Sequence, residues 1–115
     1  MNKVLENIKG HYKSKLGGGL LSISVPEWKA DIYYKPVYSF AIESKIIQQQ
    51  QQGNTVEALV ESIISKALDP DGKPMFNKFD KVTLMNEADP TVLIRVASAL
   101  NNATSDYKLE DVEKN

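Results

Sequence analysis

The residues able to do chemistry in this 115-residue chain are few and scattered. There is one histidine, His11, and no cysteine. A single imidazole with no carboxylate or second ligand nearby in sequence cannot hold a metal. The absence of thiols removes thiolate zinc sites, thiol nucleophiles and disulfides. A serine nucleophile needs a base and an oxyanion hole, yet no serine here sits in a nucleophile elbow and His11 is the sole imidazole base. The adjacent carboxylates Glu110 and Asp111 fall in a charged stretch where water solvates both. Asp69 and Asp71 beside Gly72 superficially fit a calcium loop, but the EF-hand register then requires carboxylates where Ala67 and Lys78 stand. Gly17-Gly18-Gly19 lacks the Lys-Ser/Thr ending of a phosphate-binding loop and reads as a hinge. The expectation is a protein that is not an enzyme, with no cofactor and no metal.

Charge and composition narrow the remaining classes. Fourteen basic and fifteen acidic residues give a net charge of −1, which argues against a nucleic-acid coat, since phosphate neutralisation needs a basic surplus. Lys3, Lys9, Lys13 and Lys15 read as the solvated face of a helix. With 42% hydrophobic and 25% charged residues the chain has the balance of a globular domain, and its length sets one domain. No apolar run reaches the length of a membrane span, and residues 1–10 carry charges among their apolar positions. Neither a signal peptide nor a membrane helix is therefore expected, and the lack of cysteine fits a reducing cytoplasm. Asn102-Ala103-Thr104 matches a glycosylation acceptor, read as coincidence without a secretory signal.

The elements that position the side chains follow from periodicity. Val4, Ile8 and Tyr12, with Leu5 and Leu16, predict an N-terminal amphipathic helix, weakened by Gly10 and stopped by the glycine triplet. Leu21, Ile23 and Val25 alternate with serines and predict a strand ended by Pro26. A second β-favouring run, residues 31–35, pairs with it as a hairpin across 26–30, with Trp28 at the turn closing one end of the core. A helix is predicted over 37–50, carrying Phe40, Ala41, Ile46 and Ile47 and continuing into five glutamines from Gln48 to Gln52 before Gly53. Asn54 and Glu57 predict a capping box for a helix with the stripe Val56, Leu59, Val60, Ile63, Ile64 and Ala67, ending at Leu68. Asp69-Pro70-Asp71-Gly72 is a turn. Asn77 caps a short helix carrying Phe79, Val82 and Met85. Asp89-Pro90 opens a last helix with the stripe Val92, Leu93, Val96, Ala97 and Leu100. The fold class expected is α+β: a mostly α-helical single domain of four to five helices with an N-terminal β-hairpin. Residues 1–19 form a mobile helix and hinge, 20–102 the compact domain, and 103–115 a charged flexible tail.

These elements carry an ordered pattern. Leu68-Asp69-Pro70-Asp71-Gly72-Lys73-Pro74-Met75-Phe76, then Asp80 and Leu84, then Asp89-Pro90 opening a helix with Ile94-Arg95-Val96-Ala97, resembles the tail assembly chaperones of long-tailed bacteriophages and prophages. Val25-Pro26-Glu27-Trp28 followed by a β-rich run is also similar to that family, so the resemblance covers most of the chain, Val25 to Asn102. Two places depart from it: relatives often have glycine after the tryptophan and arginine in the next strand, where this chain has Lys29 and Lys35. The glutamine run is not a family feature.

The resemblance implies a chaperone that binds the hydrophobic tape measure protein and keeps it soluble while the tail tube assembles in the host bacterial cytoplasm. It implies absence from the mature virion. It also implies a longer form made by ribosomal frameshift, whose added domain engages the tail tube protein. Glu113-Lys114-Asn115 is a tripeptide that a slippery adenine run can encode, and codons lacking that run around Lys114 would sink this reading. Tyr33, Tyr38, Ile46 and Ile47 are the candidate partner-binding residues, as apolar side chains able to stay exposed once the core is filled. Assembly along a long client suits weak self-association, with the hinge-bearing N-terminal segment as its place. The alternatives are another phage tail morphogenesis or structural protein, such as a completion factor or adaptor, and a cytoplasmic regulatory binding module. For DNA binding the last helix offers only Arg95.

Overall fold

The structure, a computed structural model, describes residues 2–101. The expected charged tail over 103–115, with Glu110-Asp111 and Glu113-Lys114-Asn115, lies outside the described residues, as does the Asn102-Ala103-Thr104 triplet. In chain order the elements are α1 (Lys3–Leu16), β1 (Leu21–Val25), β2 (Ala30–Tyr34), α2 (Phe40–Gln51), α3 (Thr55–Lys66), α4 (Lys81–Glu87) and a last helix, α5, over 90–101. The fold is thus α+β and mostly helical, with an N-terminal antiparallel hairpin, as the periodicities predict.

The hairpin pairs Leu21 with Tyr34 at its open end and Val25 with Ala30 beside the turn. Alternation turns Val25 and Ile32 into the core, both with no exposed surface. The turn is a 3₁₀ segment, Pro26–Trp28, followed by Lys29 at φ 53°, ψ 41°. This left-handed conformation suits glycine and crowds the Cβ of any other residue. Lys29→Gly is therefore expected to stabilise the chain by about 0.5–1 kcal/mol, net of glycine's larger unfolded-state entropy, read as a raised denaturation midpoint.

Two helix boundaries and one cap differ from the sequence expectation. α2 begins at Phe40, not Val37, because Ser39 stays extended and its Oγ accepts from the Ile42 N–H at 3.4 Å. At the start of α3 the Asn54–Glu57 capping box does not form: Asn54 makes no side-chain cap bond, and its amide donates to Gln49 Oε1 at 3.0 Å. The short α2–α3 connection holds that side chain against the glutamine run. α3 ends at Lys66, because Leu68 exchanges two backbone hydrogen bonds with Tyr33, at 2.7 and 3.0 Å, and bridges Pro74 on its other side. The hairpin is so extended by single-residue bridges.

The second half follows its punctuation closely. Asp69 Oδ1 accepts from the N–H groups of Asp71 and Lys73, both at 2.9 Å, and Gly72 takes φ 84° as the turn requires. Asn77 and Asp80 form a capping box before α4. Asp89 accepts from the Thr91 N–H at 2.9 Å to open α5. The core joins Val60, Ile63 and Ala67 to Val92, Leu93, Val96, Ala97 and Leu100, with Val25 and Ile32 of the hairpin and Leu84 of α4 closing it.

Candidate binding cleft

Two features carry the polar and apolar chemistry of the described residues: a buried lysine network and an open apolar cleft. Lys66 lies on the core face of α3, and its side chain has no exposed surface. Burying an ammonium is expensive unless it is paired. Its Nζ donates to Glu43 Oε1 at 2.7 Å and to Asn101 Oδ1 at 2.9 Å, and stands 5.1 Å from the centre of the Tyr38 ring. Asn101 Nδ2 donates in turn to Ser62 Oγ at 3.0 Å. The Tyr38 hydroxyl donates to Lys66 O at 2.8 Å and accepts from the Lys35 N–H at 2.9 Å. α2, α3 and α5 are tied together this way. Closed off from solvent and held by two hydrogen bonds, Lys66 serves as an internal tie and offers no ligand an approach.

Burial pushes Lys66 below its ordinary value, against the opposing pull of Glu43. Burial also pushes the Tyr38 phenol up to about 12. A tyrosine that stays protonated in the fold but ionises in the unfolded chain loses stability for the protein as pH rises from 10 towards 12. Tyr38→Phe is expected to flatten that alkaline loss, and to cost about 1–3 kcal/mol at neutral pH by leaving two backbone groups without their partner. Denaturation midpoints across the alkaline range test both effects.

The cleft lies at the turn end of the hairpin. Trp28 stands over it from the 3₁₀ turn, and Ala30 and Ile32 line it as alternate residues of β2. Met75 and Phe76 reach it because the chain returns from the Gly72 turn along Ala67, where Met75 N–H donates to Ala67 O at 3.0 Å. α4 closes the far side with Thr83, Leu84, Glu87 and the adjoining Ala88. The volume is about 340 Å³, and Glu87 is the one charged lining residue. The outer face of α4 is apolar as well. Val82 and Met85 are exposed there, Val82 by 68%, while Leu84 faces the core; Phe79, expected on the same helix, lies in the 3₁₀ turn before it and is 80% exposed. α4 has fewer than two full turns against the core, so one leucine anchors it and the rest of its apolar surface stays outside.

The turn that carries Trp28 is clamped from α5. Arg95 holds Glu27 with two hydrogen bonds, Nη2 to Oε1 at 2.6 Å and Nη1 to Oε2 at 2.9 Å. The Arg95 hydrogen bonds, with a backbone hydrogen bond, hold the Glu27 carboxyl down to about 2. The pair's stabilisation is complete above pH 4.5 and is lost as pH falls towards 2. Both side chains are about half exposed, so salt screens the pair. Arg95→Ala is expected to remove this acid dependence and to loosen the turn, read as a shift in Trp28 fluorescence.

The residues expected from sequence to contact a partner do not form one exposed patch. Tyr38 is 6% and Ile46 4% exposed, so both belong to the interior: Tyr38 is drawn in by its hydroxyl partners, and Ile46 faces inward from α2. Tyr33 is half-buried in the ladder with Leu68, and Ile47 remains exposed on α2. The cleft residues went unassigned because they come from the turn, alternate positions of β2 and α4. Of these, Trp28 and Met75-Phe76 carried a signal in the sequence. No protein-family model matches the chain, and neither a curated protein nor a solved structure does.

Proposed function

We propose that this protein is a tail assembly chaperone of a long-tailed phage or prophage, binding the tape measure protein and keeping it soluble during tail tube assembly. The supporting observation is the apolar cleft of about 340 Å³ between Trp28, β2 and α4; Val82 and Met85 add exposed apolar surface on the opposite face of α4. A formed, mostly apolar cleft is the default place for a binding partner. An amphipathic helix laid in such a groove buries its anchor side chains there, and many weak sites along a long client act together. The client's identity comes from the ordered Asp69-Pro70-Asp71-Gly72-Lys73-Pro74 to Asp89-Pro90 pattern. The same face suits the docking role of a tail adaptor, and gene order separates the two: a chaperone gene lies between those for the tube protein and a very long tape measure protein. Co-expression with that tape measure protein is expected to move it from the pellet to the soluble fraction. A client equally insoluble with and without this chain would end the proposal.

A further inference from the structure

We infer that residues 106–113 of the same chain dock along the exposed apolar face of α1 and cover it. No residue of α1 is buried, and its first turns are apolar and open to solvent: Val4 is 63%, Leu5 52% and Ile8 58% exposed. At helical spacing these three share one arc with Tyr12 and Leu16, with Lys9 and Lys13 along its edge and Glu6 on the far side. A free helix of this length is marginal in water, so its apolar arc gains from a cover. The charges select one. α1 holds four lysines against one glutamate. Residues 106–113 hold four carboxylates, Asp106, Glu110, Asp111 and Glu113, against Lys108, with Tyr107, Leu109 and Val112 set among them. The two segments thus carry opposite excess charge and apolar residues to bury against each other.

The end of α5 brings that segment to α1. Asn101 Oδ1 accepts from Lys66 Nζ at 2.9 Å, Lys66 Nζ stands 5.1 Å from the centre of the Tyr38 ring, and Tyr12 of α1 is close enough to act on the Tyr38 phenol. Residues 102–115 therefore follow the fold from a point beside the last turns of α1, where Tyr12 and Leu16 are half-buried. From Tyr12 back to Val4 is roughly 12 Å at helical rise. The chain from Asn101 to Leu109 reaches up to about 26 Å when extended, enough to lie along the whole arc. Two other apolar surfaces fit the segment less well. The cleft has Glu87 as its one charged lining residue, which repels carboxylates. Val82 and Met85 on the outer face of α4 have Lys78 and Lys81 beside them at helical spacing, but α4 joins α5 at the other end, roughly 17 Å from Asn101. Exposed ion pairs are individually weak, yet linkage in one chain supplies an effective concentration on the order of millimolar. The contact is a releasable cover: the arc of α1 meets another surface only after the segment leaves. It depends neither on the cleft nor on any client.

The chain has no cysteine, so Asn115→Cys takes a single nitroxide label beside the segment. In the full chain, paramagnetic broadening is expected to remove most of the amide signal of Val4, Leu5, Ile8 and Lys9, while Ala30, Val82 and Met85 keep theirs. Glu110→Lys, Asp111→Lys and Glu113→Lys together restore the α1 signals, and high salt weakens the broadening. Adding Lys9→Glu and Lys13→Glu to that reversed segment brings the broadening back. Both lysines are exposed, so helical circular dichroism stays as in the wild type. Broadening centred on the cleft or on α4, none at all, or a pattern unchanged by charge reversal overturns the inference. So does equal broadening when nitroxide-labelled chains are mixed with isotope-labelled chains lacking the nitroxide, since the contact then runs between copies.

Discussion

Replacing Lys66 with alanine is expected to destabilise the fold by about 3–5 kcal/mol, the range for breaking a buried, hydrogen-bonded ion pair. The substitution removes the donor that Glu43 and Asn101 share, empties the space beneath the Tyr38 ring, and releases α2 and α5 from a common point on α3. Urea denaturation followed by circular dichroism measures it, and a loss below about 1 kcal/mol would show the network to be incidental to stability. The pair is costly to break but not stabilising in proportion. Desolvation of the ammonium offsets much of the Coulomb attraction, so Lys66→Met combined with Glu43→Leu is expected to recover most of the loss. The pH dependence carries two opposite signs. Lys66 is shifted down, so the unfolded chain binds more protons than the fold between the lowered value and 10.5, and stability there rises with pH. Tyr38 acts the other way from pH 10 to about 12, by at most about 2–3 kcal/mol.

Ile32→Ala is expected to cost about 2–5 kcal/mol, with a drop in melting temperature of several degrees for each kilocalorie. Ile32 has no exposed surface and stands where the hairpin meets both the helical core and the cleft. Truncation loses its transfer free energy and leaves a void on one side, while on the other it deepens the cleft floor. Ile47→Ala, on the exposed side of α2, is the matched control and is expected to stay within about 0.5 kcal/mol of wild type. Equal losses for the two would contradict the inward register of β2.

Much of this architecture was legible in the residues because it is set locally. Asp69-Pro70-Asp71-Gly72 makes its turn from side-chain acceptors and a positive φ within four residues, and Asp89-Pro90 opens α5 by the same kind of short-range chemistry. The α5 stripe from Val92 to Leu100 was readable because one helix face packs on one core. At the first half's boundaries, competing partners decided. Asn54 chose a glutamine over its own helix end, and Leu68 left α3 for Tyr33.

What the sequence determined by itself is a small α+β domain of capped helices behind an N-terminal hairpin, with its main core stripes. Tertiary structure alone decided which apolar residues face water. Tyr38 and Phe40 are two residues apart in one sequence segment, yet a hydroxyl partner 28 residues away draws the first inside while the second stays out. Lys66 and Glu43 are separated by 23 residues, and nothing in either's neighbourhood announces the pair. The cleft arises the same way: period and caps specify β2 and α4 as elements, but only their packing against the same core leaves an apolar space between them. Periodicity fixes a face relative to its own helix or strand, whereas exposure depends on the other elements that cover that face.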